Sequence, residues 1–86
     1  MESYIAILVN PASWNMIYAI ENGEQIAEVR SAFHSIPETI MFLAQKYDLH
    51  TVKLAGLKDF TEKTKANIQQ HKAANYANFK LDIEIV

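Results

Sequence analysis

Hydrophobic and polar positions alternate along this chain in two different periods, and the places where the period changes mark its elements. Residues 4–9 (Tyr-Ile-Ala-Ile-Leu-Val) are apolar at every position, which predicts a strand buried on both faces and therefore central in its sheet. Asn10-Pro11 ends it, since proline has no N–H for a ladder and restricts the residue before it. From Trp14 to Ile20 the pattern alternates, with Trp14, Met16, Tyr18 and Ile20 on one side and Asn15, Ile17 and Ala19 on the other. Glu21-Asn22-Gly23-Glu24 then predicts a two-residue type I′ hairpin turn. A third strand is expected from Gln25 to Arg30.

The period then changes to that of a helix. Ser35-Ile36-Pro37-Glu38 has the S-x-x-E form of a capping box with proline in the first turn. Ile36, Ile40, Leu43, Ala44 and Tyr47 follow at helical spacing, widened by Met41 and Phe42. A short strand from Thr51 to Ala55 ends at Gly56. A second helix is expected from an Asp59 N-cap to about Ala74, its thin apolar content supplied by Phe60, Ala66, Ile68 and Ala73. The last strand is read from Phe79 to Val86, with Phe79, Leu81, Ile83 and Ile85 on one face.

These elements define a mixed α/β domain of order β-β-β-α-β-α-β. Two hairpin-type connections make the first three strands an antiparallel meander. The helical connections suit parallel crossovers, so the expected sheet order is 3-2-1-4-5. Right-handed crossovers moving twice in one direction place both helices on one face. The other face is left without a helix, and the first strand turns either Tyr4, Ala6 and Leu8 or Ile5, Ile7 and Val9 toward it. Glu28, Arg30, Lys53, Lys80, Asp82 and Glu84 are placed to ring that face with charge. An apolar centre with a polar rim reads as an interface, with Tyr4, Ala6, Leu8, Trp14 and Tyr18 as its candidate residues.

Composition narrows the picture. The 86 residues make one domain with one modest core. Half of them are hydrophobic and 21% are charged, a balance that argues against disorder. With no cysteine, neither a disulfide framework nor a thiolate zinc site can form. The apolar run at residues 4–9 is too short to span a bilayer, and Glu2 is the only charge before it, unlike the basic flank of a signal peptide. A cytoplasmic location is expected. The net charge of −2 conceals an asymmetry: residues 1–50 carry six acids against two bases, and residues 51–86 six lysines against four acids. Lys58, Lys63, Lys65 and Lys72 are the candidate contacts to a nucleic acid, although Asp59 and Glu62 lie among them, and dedicated DNA-binding domains are usually far more basic. Trp14 and Tyr18 are aromatic enough to stack on a base, but period-two spacing favours core or interface.

The element order, together with the stretch Ile-Ala-Ile-Leu-Val-Asn-Pro-Ala-Ser-Trp-Asn-Met-Ile-Tyr-Ala-Ile at residues 5–20, resembles the core of the ribonuclease H-like superfamily. It is most similar to the Holliday-junction-resolvase and actin-like ATPase branches. The resemblance implies a metal-binding aspartate closing the first strand, where this chain has Asn10, and a second acid near the end of the fourth, where it has Gly56 and then Asp59. Glu38 matches a first-helix acid of the nucleases, but the capping box accounts for it locally. Asparagine offers a metal a neutral oxygen without the charge that holds two hard cations together. No glycine-rich phosphate loop occurs, Gly23 and Gly56 being the only glycines. His34, His50 and His71 lack metal-ligand spacing, and Ser13, Ser31 and Ser35 belong to no nucleophile motif. The expectation is a non-catalytic module without cofactor or metal, a homo-oligomer or the binder of a protein partner. The alternative is a degenerate nuclease-like domain that binds nucleic acid without cleaving it.

Overall fold

The structure, a computed structural model, describes residues 2–86. Five strands form one mixed sheet: β1 (Tyr4–Val9), β2 (Asn15–Glu21), β3 (Glu24–Ser31), β4 (Thr51–Gly56) and β5 (Asp82–Ile85), in the order β3-β2-β1-β4-β5. β2 is antiparallel to β1 and β3, while β4 is parallel to β1 and β5. Helices α1 (Ile36–Tyr47) and α2 (Lys58–Asn75) are the crossovers. They pack against each other and on the same side of the sheet, as two successive right-handed crossovers require.

The core lies between the sheet and the helices. Ile5, Ile7 and Val9 of β1, Ile17 and Ala19 of β2, and Val52 and Leu54 of β4 are buried there against Ile36, Ile40, Leu43 and Ala44 of α1. Leu49, just after α1, and Ile68 of α2 complete the cluster. Asn22 and Gly23 at the hairpin tip have φ of 54° and 80°, the double positive φ that a type I′ turn needs. In β3, Ile26 is the extra residue of a bulge, since Ala27 pairs with Ala19 and Gln25 with Ile20. At Gly56, φ is +135° and a Cβ would sit 2.8 Å from the Val9 carbonyl oxygen. Only glycine lets β4 approach β1 there.

Several local expectations are corrected. Ser35 occupies the N-cap of α1, but its side chain makes no capping bond. A 3₁₀ turn over Phe33–Ser35 leads directly into the helix and leaves Ser35 at φ −99°, ψ 2°, outside the extended region a capping hydroxyl needs. α2 starts two residues earlier than expected, with Leu57 rather than Asp59 as its cap. Asp59 therefore lies in the first turn, where its charge still favours the helix dipole. The buried seam of α2 is Thr61, Thr64 and Ile68, while Ala66 and Ala73 are exposed. Phe42 points outward from α1, its ring 5.6 Å from the Lys46 ammonium. β5 is half its expected length, because the chain turns at Ala77–Phe79 and stacks Phe79 on His50 with centroids 4.7 Å apart.

Candidate interface on the uncovered sheet face

The helix-free face is assembled by strand register. Since Ile5, Ile7 and Val9 turn inward, Tyr4, Ala6 and Leu8 turn outward. On β2 the set containing buried Asn15 turns inward, which puts Met16, Tyr18 and Ile20 outward. Pairing then gives a complete row across the sheet, Glu28–Tyr18–Ala6–Lys53–Glu84. The next outward row toward Asn10 contains the pairs Arg30–Met16 and Leu8–Ala55. On the other side lie the pairs Tyr4–Ile20 and Thr51–Asp82. Charge stands at the two edges, and the middle of the face is apolar apart from Lys53. Leu8 is 68% exposed in the centre of the sheet, and with Tyr4, Ala6, Tyr18, Ala55 and Val86 it lines a depression of about 340 Å³.

Lys53 is held within the chain. Its Nζ donates to Glu2 Oε2 at 2.6 Å and sits 4.2 Å from the Tyr4 ring centroid. The hydrogen bond to Lys53 holds the Glu2 carboxyl below its usual range, and the same bond raises the Lys53 ammonium. An ammonium engaged by a carboxylate and a ring face costs less to cover than a bare one.

Of the residues singled out as interface candidates, Tyr4, Ala6, Leu8 and Tyr18 come together. Trp14 does not join them. It precedes β2 in the loop and, 61% exposed, lines a separate hollow with Pro11, Ala12, Ser13, Phe33 and His34. Met16, Ile20, Ala55 and Val86 complete the face. The period-two pattern of β2 already carried the first two, but the last two depend on the parallel register of β4 and β5. Lys80 lies before β5 rather than on the face, and its carbonyl accepts a hydrogen bond from His50 Nδ1 at 2.7 Å.

The loop where the resemblance places metal chemistry is internally satisfied. Asn10 Oδ1 accepts the Ala12 N–H at 3.0 Å. Asn15, 1% exposed, accepts the Asn10 N–H on Oδ1 at 2.6 Å and donates from Nδ2 to the Asn10 and Ser13 carbonyls at 3.0 and 3.3 Å. Asp59 and Glu38 are both exposed. Glu38 lines a groove of about 550 Å³ between the start of α1 and α2, together with His34, Lys63 and His71. Among the described residues, no three His, Asp or Glu side chains are placed to share a metal ion.

The lysines of α2 fall into two sets. Lys58, Lys65 and Lys72 recur every seven residues and return to nearly the same side, whereas Lys63 is turned about 140° from Lys58 into the groove beside α1. Lys65 and Lys72 lie half-buried beside the packing seam. Among the described residues, no helix is long and apolar enough to cross a membrane. No protein-family model matches the chain, and no curated protein sequence is significantly similar to it.

Proposed function

We propose that this chain is a non-catalytic self-assembly module, dimerising through the uncovered face of its sheet. The observation that carries this reading is the row structure of that face: Tyr4, Ala6, Leu8, Met16, Tyr18, Ile20 and Ala55 form one contiguous apolar surface across the central strands. Surfaces of this kind are costly to leave in water and mark docking sites. The strand order, with both helices on one side, supports reading the fold as a ribonuclease H-like core, with Asn10 and Gly56 at the positions of the acids.

Leu8→Lys tests the reading. Leu8 is exposed in the protomer, so the substitution leaves the core intact, while a dimer has to bury two new charges at its centre. Light scattering over a wide dilution range should give a dimer for the wild type and a folded monomer for the variant, both indifferent to a pool of DNA and RNA oligonucleotides. A wild-type monomer whose mass rises with oligonucleotide, and falls again with salt, contradicts the proposal and directs attention to Lys58, Lys65 and Lys72.

A further inference from the structure

We infer that the second copy docks about a two-fold axis that lies between the two sheets, runs across the strands and passes between the Ala6 and Leu8 rows, so that Glu28 of each copy meets Arg30 of the other. This rests on the self-association reading above and adds to it the relative placement of the copies.

Two axis directions keep the strands of the two sheets aligned, and they act differently on the rows. A closed dimer needs an exact two-fold, and its interface is the same patch on both copies. An axis running along the strands keeps every row at its own height and lays β3 over β5 of the second copy. The complete row then meets itself reversed, and Glu28 faces Glu84, two exposed carboxylates in one row. No slide along the strands relieves this, because a slide turns the two-fold into an open screw, and moving the axis sideways off β1 separates the two carboxylates only by leaving an edge strand of each copy uncovered, a smaller interface. Like charges opposed across an interface disfavour that arrangement.

An axis running across the strands lays β3 over β3 with strand directions opposed, and its height is free. Through the Ala6 row it opposes Glu28 to Glu28, Lys53 to Lys53 and Glu84 to Glu84. Through the Leu8 row it opposes Arg30 to Arg30 and Leu8 to Leu8. Between the two rows all of these like pairings disappear. Glu28 meets Arg30, and by symmetry Arg30 meets Glu28. Tyr18 meets Met16, an aromatic–thioether contact of the favourable kind, and Leu8 meets Ala6, a large side chain against a small one as packed layers need. Lys53 meets Ala55, with its ammonium still held by Glu2 at 2.6 Å. Near-aligned sheet packing of this sort is common for sheets stacked face to face, and the long Glu28 and Arg30 side chains reach across where twisted sheets diverge at their edges.

The test is a charge exchange on β3, whose outward side chains are exposed and outside the core. Dimer dissociation constants are measured by light scattering for the wild type, Glu28→Arg, Arg30→Glu, the double variant carrying both, an equimolar mixture of the two single variants, and Leu8→Lys. The inferred axis requires each single variant to dissociate at least about tenfold more readily, with the mixture forming heterodimers and the double variant returning to within about threefold of the wild type. Unchanged or tighter association of Glu28→Arg overturns the axis. Tightening is the signature of a two-fold along the strands, where the new arginine meets Glu84. A double variant that stays weak overturns it as well. In all these cases the face itself still stands if Leu8→Lys remains a monomer. A wild type that never dimerises overturns the reading on which the axis rests.

Discussion

Asn15 fixes the β1–β2 loop from inside the protein. Its amide makes three hydrogen bonds to backbone groups of Asn10 and Ser13, replacing the water those groups would otherwise need. Asn15→Ala should cost about 1–2 kcal/mol, since three partly buried hydrogen bonds to the loop backbone are lost, and chemical denaturation measures it. Thr64 presents the opposite case. Its hydroxyl oxygen is buried with no hydrogen-bond partner among the described residues, so Thr64→Val, equal in shape, should stabilise the fold by about 1 kcal/mol; a lower melting temperature for that variant contradicts the assignment. Gly56→Ala forces a Cβ toward the Val9 carbonyl at a φ that alanine rarely adopts and should destabilise by at least about 2 kcal/mol. These residues explain what was and was not legible at this scale. Gly56 was visible as a strand terminator but not as a point of close approach, which depends on the register with β1. Asn15 was visible as one polar residue of the inward set on β2, and only the loop geometry shows why it is buried. Burial of Thr61 and Thr64 leaves no hydropathy signal at all.

Among the strands, β5 is the shortest, an edge strand of four residues, and a side chain outside the sheet helps to hold it. His50, at the entrance to β4, directs Nδ1 at the Lys80 carbonyl (2.7 Å) and Nε2 at Asp48 Oδ1 (2.8 Å), while its ring stacks on Phe79. Both ring nitrogens face acceptors, so the doubly protonated form fits best. The Lys80 carbonyl first, and Asp48 second, raise the pKa above the ordinary histidine value. A pKa raised in the folded state gives stability that is fully present below the unfolded value, near 6.5, and is lost as pH rises through the folded one. Stability should therefore fall across that window, and amide exchange of β5 should quicken. Asp48 has φ 55° at the end of α1, a conformation that asparagine also accepts, so Asp48→Asn isolates the charge. The titration of His50 followed by NMR should move toward the ordinary value in that variant; an unchanged midpoint contradicts the role given to Asp48. The sequence pattern ran β5 back to Phe79 because alternation continues through Phe79 and Leu81. Alternation cannot show that Phe79 has a better partner in His50 than in β4.

For the molecule as a whole, strand order was legible because it follows from connection rules that act on element order alone. The orientation of β1 was not, because a strand apolar at every position reads the same from either side. That ambiguity has a physical origin, since both faces of β1 suit an apolar environment and the helices cover only one. Leu8, 68% exposed in the middle of a sheet, is the clearest expression of it. The edge strand β3 is built against edge-to-edge pairing. Glu24, Glu28 and Arg30 and the bulge at Ile26 discourage pairing along its open edge, while Glu28 and Arg30 remain available at the rim of the face.

A dilution series followed by two-dimensional NMR tests self-association through this face most directly. As the protein is concentrated, shifts should move for Tyr4, Ala6, Leu8, Met16, Tyr18, Lys53 and Ala55, with a single dissociation constant, while the outer surfaces of α1 and α2 stay constant. Shifts confined to α2, or a spectrum unchanged from micromolar to millimolar concentration, would contradict the account.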